Sequence, residues 1–377
     1  SIYIQNLLII KLIKIYLPKI TSINYKFFQF PFVSSFIIVY NRFIKINLEK
    51  LKSLKKERSL ILNKQHKLLH ICMFSSLTLL TMASINKLLF ITSTIKSTHH
   101  QKAKTYEWRF GKIHYTKCGK GTPLLLIHDV IPGSSDYEWQ EIIKPLSKTH
   151  TAYTLDLLGF GHSEKPAITY TNYLYVQLIT DFIKNIVGRR CDIITSGSSA
   201  SIAIMACRLD ESLFNRIMLI SPDTLIHTGK VPTKRTKTLK FALELPLIGT
   251  FLYNIMVNYC KIKTDFKKYY FSNPYHVTPK LIKAYREASQ LYGSNSRYVY
   301  SSLKGNYINF SVSRALSEIN NSIYIINGSD TEDYKQNKKE YQKQNASIET
   351  NVVYHTKHFP QLENPTELLK HCFIFLG

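Results

Sequence analysis

The segment from Cys191 to Arg208 contains a serine-rich turn whose residue types could support nucleophilic chemistry. An apolar run ends at Thr195, small residues fill 196–201, and an apolar helical pattern follows. A serine in a G-x-S-x-G pattern between a strand and a helix presents an exposed hydroxyl. The pentapeptide Gly197–Ser201 therefore predicts Ser199 as a nucleophile. Serine and glycine also favour ordinary turns, and Ser201 replaces the last glycine of the pattern.

The elements that must position this turn alternate between strands and helices from residue 106 onward. Because amphipathic helices separate the apolar runs, the alternation predicts a mostly parallel sheet covered on both faces. A hairpin turning at Gly111-Lys112 precedes it. At about 223–320 the alternation gives way to a helical insertion, which we expect to cap the site before the last two strands. The runs that predict strands lie at 123–127, 151–157, 191–195, 216–221, 322–327 and 349–354.

The first 105 residues differ in character from the rest. Residues 1–67 show no clear periodicity, and the first methionine is Met73, so we interpret them as a doubtful leader whose native status stays open, with membrane hairpins as the alternative. Residues 68–95 are predicted to be a membrane anchor or signal segment, and 96–105 a polar linker. Basic residues precede the apolar segment, which predicts an extracytoplasmic location for the following domain, 106–377. A cytoplasmic location stays open.

The net charge of +25 raises nucleic acid as a partner, but its distribution argues against one. Residues 1–104 hold 17 Lys/Arg and 2 Asp/Glu, a net +15, which leaves +10 for the rest. No zinc-finger, RNP-like or helix-turn-helix pattern accompanies the charge. The six cysteines form no C-x-x-C pair, so no metal site or disulfide framework is expected from them. We therefore predict no nucleic-acid partner.

Four segments, in this order, resemble the α/β-hydrolase family over about 105–377. The first resembles the family's strand ending in His-Gly, the second its D-x-x-G-x-G-x-S-x-x-P loop, the third its nucleophile turn, and the fourth the segment around its catalytic histidine. The resemblance implies an α/β fold, a mostly parallel central sheet flanked by helices, with a helical cap at about 223–320. The segments are Pro123–Asp129, Asp156–Pro166, Gly197–Ser201 and His358–Pro365.

The resemblance also implies roles for individual residues. Ser199 would be the nucleophile and His358 the base that takes its proton. Asp330 would be the acid that orients His358. The backbone amides of Val130 and Ala200 would form the oxyanion hole. Glu332, Asp333 and Asp223 stay open as alternatives for the acid.

These roles predict a serine hydrolase that cleaves an ester or related acyl bond through an acyl-enzyme, without metal or organic cofactor. The apolar stretch Phe241–Val257 favours a hydrophobic small-molecule substrate. Family members with an aspartate nucleophile are disfavoured because the turn carries Ser199. The alternative is a catalytically degenerate binding or scaffold protein, because Asp129 replaces a glycine that the family has at the oxyanion loop. A carboxylate there would oppose an oxyanion unless it turned away or paired with a base.

Overall fold

The computed structural model describes residues 63–94 and 103–377, apart from Asp333. The predicted leader therefore lies outside the described residues up to 62, as do 95–102 and the alternative acid Asp333. The chain divides into two compact units, 1–81 and 82–377. The second unit contains all the strands of the described residues, and the sequence pattern of alternating elements is realised there.

Eight strands form one sheet. Their order in the sheet is β1-β2-β4-β3-β5-β6-β7-β8. The first two pairings, β1 with β2 and β2 with β4, are antiparallel, and every other neighbouring pair is parallel. The strands are β1 Ala103–Trp108, β2 Gly111–Cys118, β3 Thr122–Ile127, β4 His150–Leu155, β5 Cys191–Ser196, β6 Phe214–Ile220, β7 Ile323–Gly328 and β8 Glu349–Val353.

Helices connect the parallel strands and cover the sheet. In chain order they are α1 Asn63–Thr94, α2 Ile143–Leu146, α3 Asn172–Phe182, α4 Ser199–Leu209, α5 Leu225–Thr228, α6 Lys234–Glu244, α7 Ile248–Met256, α8 Tyr259–Asp265, α9 Pro279–Gln290, α10 Ser296–Lys304, α11 Ser313–Glu318, α12 Tyr334–Gln344, α13 Pro360–Glu363 and α14 Pro365–Leu376. Single π turns follow α3 at Ile183–Val187 and α8 at Phe266–Tyr270.

Alternate residues of the central strands enter two separate cores. Leu125 and Ile127 of β3 pack in the core that contains α3 and α4. Leu124 and Leu126 pack on the opposite face, against the core that contains α14. Since side chains alternate across a strand, burial on both faces explains the continuous apolar runs in the sequence. The predicted parallel sheet with two covered faces is confirmed.

Several local details follow the sequence, and one differs. Asn364 accepts a hydrogen bond from the amide of Glu367 and caps α14, and Pro365 is the first helical residue, a common combination at helix N-termini. The hairpin turns at residues 109–110, two residues earlier than predicted, because β2 already begins at Gly111. Between β6 and β7 lie helices α5 to α11, which we call the helical segment (residues 225–318). Its role as a cap over the site stays a prediction.

Among the described residues, one helix is long and apolar enough to cross a membrane, the stretch Cys72–Ile91 of α1, with mean hydropathy 1.4. The helix continues through the polar residue Asn86. Asn86 is buried: its amide nitrogen donates to the carbonyl of Leu247, and its oxygen accepts from Asn254. These two hydrogen bonds satisfy a polar side chain that would otherwise be costly to bury.

Candidate active site at the turn after β5

The sharp turn between β5 and α4 is centred on Gly197, two residues before the predicted Ser199. Strand β5 ends at Ser196, Gly197 has a φ of 54°, and Ser198 is the N-cap of α4. A left-handed backbone at this turn suits glycine best. The nucleophile of this kind of turn stands at its strained residue, and in this chain that residue has no side chain.

Ser199 already belongs to the first turn of α4. Its Oγ donates to the carbonyl oxygen of His128 at 2.5 Å, and its side chain is fully buried. The amide of Ala200 donates to the carbonyl of Gly197 within the turn. The structure therefore does not bring Ser199 to His358, and it turns the predicted oxyanion donor Ala200 into an ordinary helical amide.

The carboxylate of Asp129 fills the space beside Gly197. A Cβ added at Gly197 would lie 2.2 Å from Cγ of Asp129. The Asp129 side chain comes from the loop after β3 and is 1 % exposed. It therefore occupies the volume that the side chain of a conventional nucleophile would take.

Two backbone amides converge on Oδ1 of Asp129. The amide of Val130 donates at 2.6 Å, and the amide of Ser198 at 2.8 Å. An oxyanion hole in this kind of site is built from the residue after the nucleophile and from the loop after β3. Counted from Gly197, Ser198 and Val130 are those two residues. Both amides donate to Oδ1 of Asp129 at the position where such a hole would lie.

The other carboxylate oxygen contacts His358. Oδ2 of Asp129 lies 2.7 Å from Nε2 of His358, and the backbone amide of His358 donates to the carbonyl of Tyr270. Burial lowers the pKa of His358, but the hydrogen bond to Asp129 and the charges of Asp129 and Asp223 outweigh it and raise the pKa overall. Asp129 thus pairs with a base. The sequence alone indicated that a carboxylate at this loop requires this pairing or an outward turn.

Asp330, the residue first predicted as the acid, has hydrogen-bond partners other than His358. The carboxylate of Asp330 is exposed and is hydrogen-bonded to Ser272 and Ser329. The charges that raise the pKa of His358 come from Asp129, Asp223 and Glu138. Asp223 follows β6, and its Oδ2 accepts from Ser198 Oγ at 2.6 Å. Of the alternatives left open by the sequence, the structure brings Asp223 to the site.

Asp223 is held as a carboxylate. Burial raises its pKa, but hydrogen bonds from His227 and Ser198 and the charge of His358 outweigh this and lower it. The carbonyl of Asp223 accepts from the hydroxyl of Tyr341. An ionised carboxylate next to an imidazole stabilises the protonated ring.

Glu138 is a buried group of the site that the sequence did not single out. Its Oε2 accepts from the amide of Asp129, and its Oε1 accepts from Gln361. Burial and the neighbouring charge of Asp129 raise its pKa to about 8. Burial and the charge of Asp129 thus both disfavour ionisation of Glu138.

His128 supports the loop that carries Asp129. Its Nδ1 lies 2.7 Å from the carbonyl of Asp129, and its Nε2 accepts from the amide of Leu157. This pattern requires a neutral ring, and burial lowers the pKa of His128 accordingly. Both ring nitrogens of His128 are thus engaged in holding the loop.

One cluster of the described residues has the composition of a metal site. Nδ1 of His114 and Nδ1 of His162 lie 3.2 Å and 3.6 Å from Oδ2 of Asp156. The carboxylate of Asp156 also accepts from the amides of Asp136 and His162. These hydrogen bonds hold the loop after β4 in its conformation, so the cluster has a structural role.

Aromatic side chains of the helical segment border His358. The ring of Tyr270 lies 5.4 Å from that of His358, and Phe266 stacks on Phe359 at 5.8 Å. A cavity between the loop after β3 and the helical segment has a volume of ≈ 10 Å³, room for about one water.

The fold and the site together define the class of protein. A family model for the α/β hydrolase fold matches residues 123–365, so the chain belongs to this family. The sequence is 30% identical over 115 residues to 2-hydroxy-6-oxo-6-(2'-aminophenyl)hexa-2,4-dienoic acid hydrolase of Metapseudomonas resinovorans, covering 30% of this chain and 39% of the relative. It is 28% identical over 123 residues to the soluble epoxide hydrolase of Corynebacterium sp. (strain C12), covering 33% and 41%.

Among solved structures, the epoxide hydrolase CorEH without ligand is similar with a TM-score of 0.59 and 18% identity, over 73% of this chain and 98% of that chain. Identity at this level shows the fold alone. The sequence matches span about two fifths of the length of the two curated relatives. Both relatives are named as hydrolases.

Proposed function

We propose that this chain is a hydrolase of a small apolar molecule and that its reaction centre is the contact between His358 and Asp129. The observation that carries the proposal is the 2.7 Å contact between Nε2 and Oδ2, beside two converging backbone amides. Imidazole is the side chain best suited to take a proton from water near neutral pH. His358 is the general base, and Asp223 stabilises its protonated form.

The sequence predicted an acyl-enzyme on Ser199, and the geometry favours a different centre. A serine nucleophile needs a base within hydrogen-bond reach, whereas Ser199 Oγ donates to a backbone carbonyl. An acyl substrate also needs free donors for its oxyanion, and Asp129 occupies the two amides. Esters belong in the test as one substrate class among several.

A second candidate function is a non-catalytic binding protein on the same fold. Gly197 favours it, because the residue at the strained turn has no reactive atom. The buried ion pair of Asp129 and His358 would then serve to hold the loop after β3 to the loop after β8.

Turnover by the full chain in detergent separates the two candidates. The substrates are p-nitrophenyl esters of increasing chain length and a set of aryl and alkyl epoxides. We expect hydrolysis of at least one class, a loss of ~10²-fold or more in His358→Gln, and no such loss in Ser199→Ala. The matched control is His276→Gln, which changes an exposed histidine outside the site.

Hydrolysis that survives His358→Gln but not Ser199→Ala would overturn the assignment of the centre. If the folded full chain hydrolyses none of the probes, the binding protein becomes the better description. Circular dichroism of each variant shows whether a loss of turnover reflects loss of the fold.

We further propose that α1 anchors the protein in a membrane, with the hydrolase domain on the extracytoplasmic side. The support is the apolar stretch Cys72–Ile91, with basic residues before it in the sequence. Carbonate extraction of membranes that contain the expressed full chain tests the anchor. Protease protection of residues 103–377 in sealed vesicles tests the side, and release of the intact chain by carbonate would contradict the anchor.

A further inference from the structure

We propose that Asp129 is the nucleophile of this hydrolase, supplied from the loop after β3 in place of a side chain on the turn after β5, and that it attacks the saturated carbon of a strained cyclic ether. This inference rests on the proposed function and specifies its first step. A carboxylate nucleophile forms a covalent ester with its substrate, which water then hydrolyses. Three features of the site support the assignment.

The first feature is position. The carboxylate of Asp129 lies where a side chain at Gly197 would be, within 2.2 Å of the Cβ position. Glycine at 197 is what permits this approach, since any larger residue there would overlap the carboxylate. The reactive group therefore stands at the usual point of the fold although it comes from another strand.

The second feature is the different environment of the two oxygens. Oδ1 accepts from the amides of Val130 and Ser198, whereas Oδ2 forms its hydrogen bond with His358. Oδ2 is thus the oxygen available for attack. Oδ1 is already held where negative charge develops when water later adds to Cγ.

The third feature is the occupation of the two amides by Oδ1, which decides the substrate class. Because Oδ1 fills the oxyanion hole, a substrate carbonyl would find no amide donors for its oxygen. Attack at a saturated carbon develops no oxyanion on that carbon and needs no such donors. What it needs is a proton for the departing oxygen.

Tyr285 on α9 is placed to supply that proton. Its hydroxyl is buried and has no hydrogen-bond partner among the described residues. The charges of Glu138 and Asp129 act on it and help to raise its pKa, after burial as the largest cause. The ring of Tyr285 lies 6.4 Å from that of Phe359, the neighbour of His358 in the chain. We assign the proton for the departing oxygen to this hydroxyl.

In the first step Oδ2 of Asp129 forms a bond to one carbon of the strained ring, and the bond from that carbon to the ring oxygen breaks. The ring oxygen takes the proton of Tyr285, and the protonated His358 restores that proton to the phenol. The products are a neutral hydroxyalkyl ester on Asp129 and a neutral imidazole.

In the second step His358 takes a proton from water, and the hydroxide adds to Cγ of Asp129. The negative charge falls on Oδ1, between the amides of Val130 and Ser198. When this intermediate collapses, the bond from Cγ to Oδ2 breaks. The departing alkoxide takes the proton from His358, and the diol leaves with the former Oδ2. Asp129 keeps the water oxygen, and its acid proton passes to His358.

The oxygen balance gives a direct test on the full chain in detergent. Protein in excess of styrene oxide is allowed a single turnover in water enriched in ¹⁸O, and the peptide with Asp129 is analysed by mass spectrometry. We expect one heavy oxygen in Asp129 and none in the diol. Ser199→Ala should give the same labelling, and His358→Gln should accumulate the hydroxyalkyl ester on Asp129 because the second step lacks its base.

The outcomes separate this inference from the proposed function. Heavy oxygen in the diol and not in Asp129, with turnover still dependent on His358, would overturn the nucleophile and leave the hydrolase standing. An ester on any residue other than Asp129 in His358→Gln would overturn it as well. Hydrolysis of esters but not of epoxides would overturn the substrate class. No turnover of any probe by the folded chain would remove both proposals together.

Discussion

Oδ2 of Asp129 lies 2.7 Å from Nε2 of His358, and the carboxylate reaches that point because Gly197 has no side chain. The two residues are 229 positions apart in the chain. They come from the loops after β3 and β8, which meet at the carboxyl edge of the sheet. Ligands and reactive groups in open α/β sheets gather at this edge, so the pair stands where the fold places chemistry.

Replacing Asp129 by asparagine should lower the pKa of His358. The hydrogen bond and the charge of Asp129 are the main causes that raise this pKa, whereas burial lowers it. The measurement is an NMR titration of the His358 ring in the full chain. Asp330→Asn is the matched control and should leave the titration unchanged, because Asp330 is bonded to Ser272 and Ser329 instead. An unchanged titration in Asp129→Asn would contradict the ion pair.

Replacing Asp223 by asparagine should reduce hydrolysis by ~10²-fold or more, because an amide does not stabilise the protonated imidazole. The same change at Asp330 should stay within about threefold, as expected for an exposed side chain. The comparison is made on kcat with the most active probe, and thermal unfolding of each variant controls for the fold. The reverse order of effects would restore Asp330 as the acid.

Glu138 should make the stability of the protein depend on pH. Its pKa is 4.5 in the ordinary state and about 8 in the folded protein. Between these values the native state holds a proton that the unfolded chain has lost, so this contribution to the free energy of unfolding falls as the pH rises through that window. Glu138→Gln removes the titration. The free energy of unfolding is measured in urea for both proteins. Between pH 5 and pH 8 we expect the value of the variant to rise relative to that of the wild type by on the order of a few kcal/mol. A constant difference would contradict the raised pKa.

The sequence predicted the fold of this molecule well. Continuous apolar runs identify the central strands because both faces of the sheet are buried, and the four family segments fall at strand ends, as their resemblance implied. His358 and Val130 lie at the site. The sequence offered Asp223 only as one of several candidate acids, because its approach to His358 depends on how the loop after β6 folds.

The turn itself could not be placed from its residues alone. Small residues fill 196–201, so more than one frame fits a strand-to-helix turn. The end of β5 decides between them, and it is set by pairing with β6, where Ser196 lies opposite Ile220. Two signs were present in the sequence: Ser201 in place of glycine, and Asp129 in place of glycine. Both follow from a turn centred on Gly197, with a carboxylate in the space of its missing side chain.

A pair of substitutions should convert this site to a conventional serine hydrolase. Gly197→Ser alone adds atoms within 2.2 Å of Asp129 at a left-handed residue, so we expect a loss of more than ~2 kcal/mol in stability. Combining it with Asp129→Gly removes the overlap, frees the amides of Val130 and Ser198, and places a hydroxyl beside His358. The double variant should regain most of the lost stability, react with a fluorophosphonate probe at residue 197, and hydrolyse p-nitrophenyl esters. The wild type and Asp129→Gly alone are the controls, and neither should be labelled at that position. A folded double variant that the probe leaves unmodified would show that the volume beside Gly197 is not the nucleophile position of this fold.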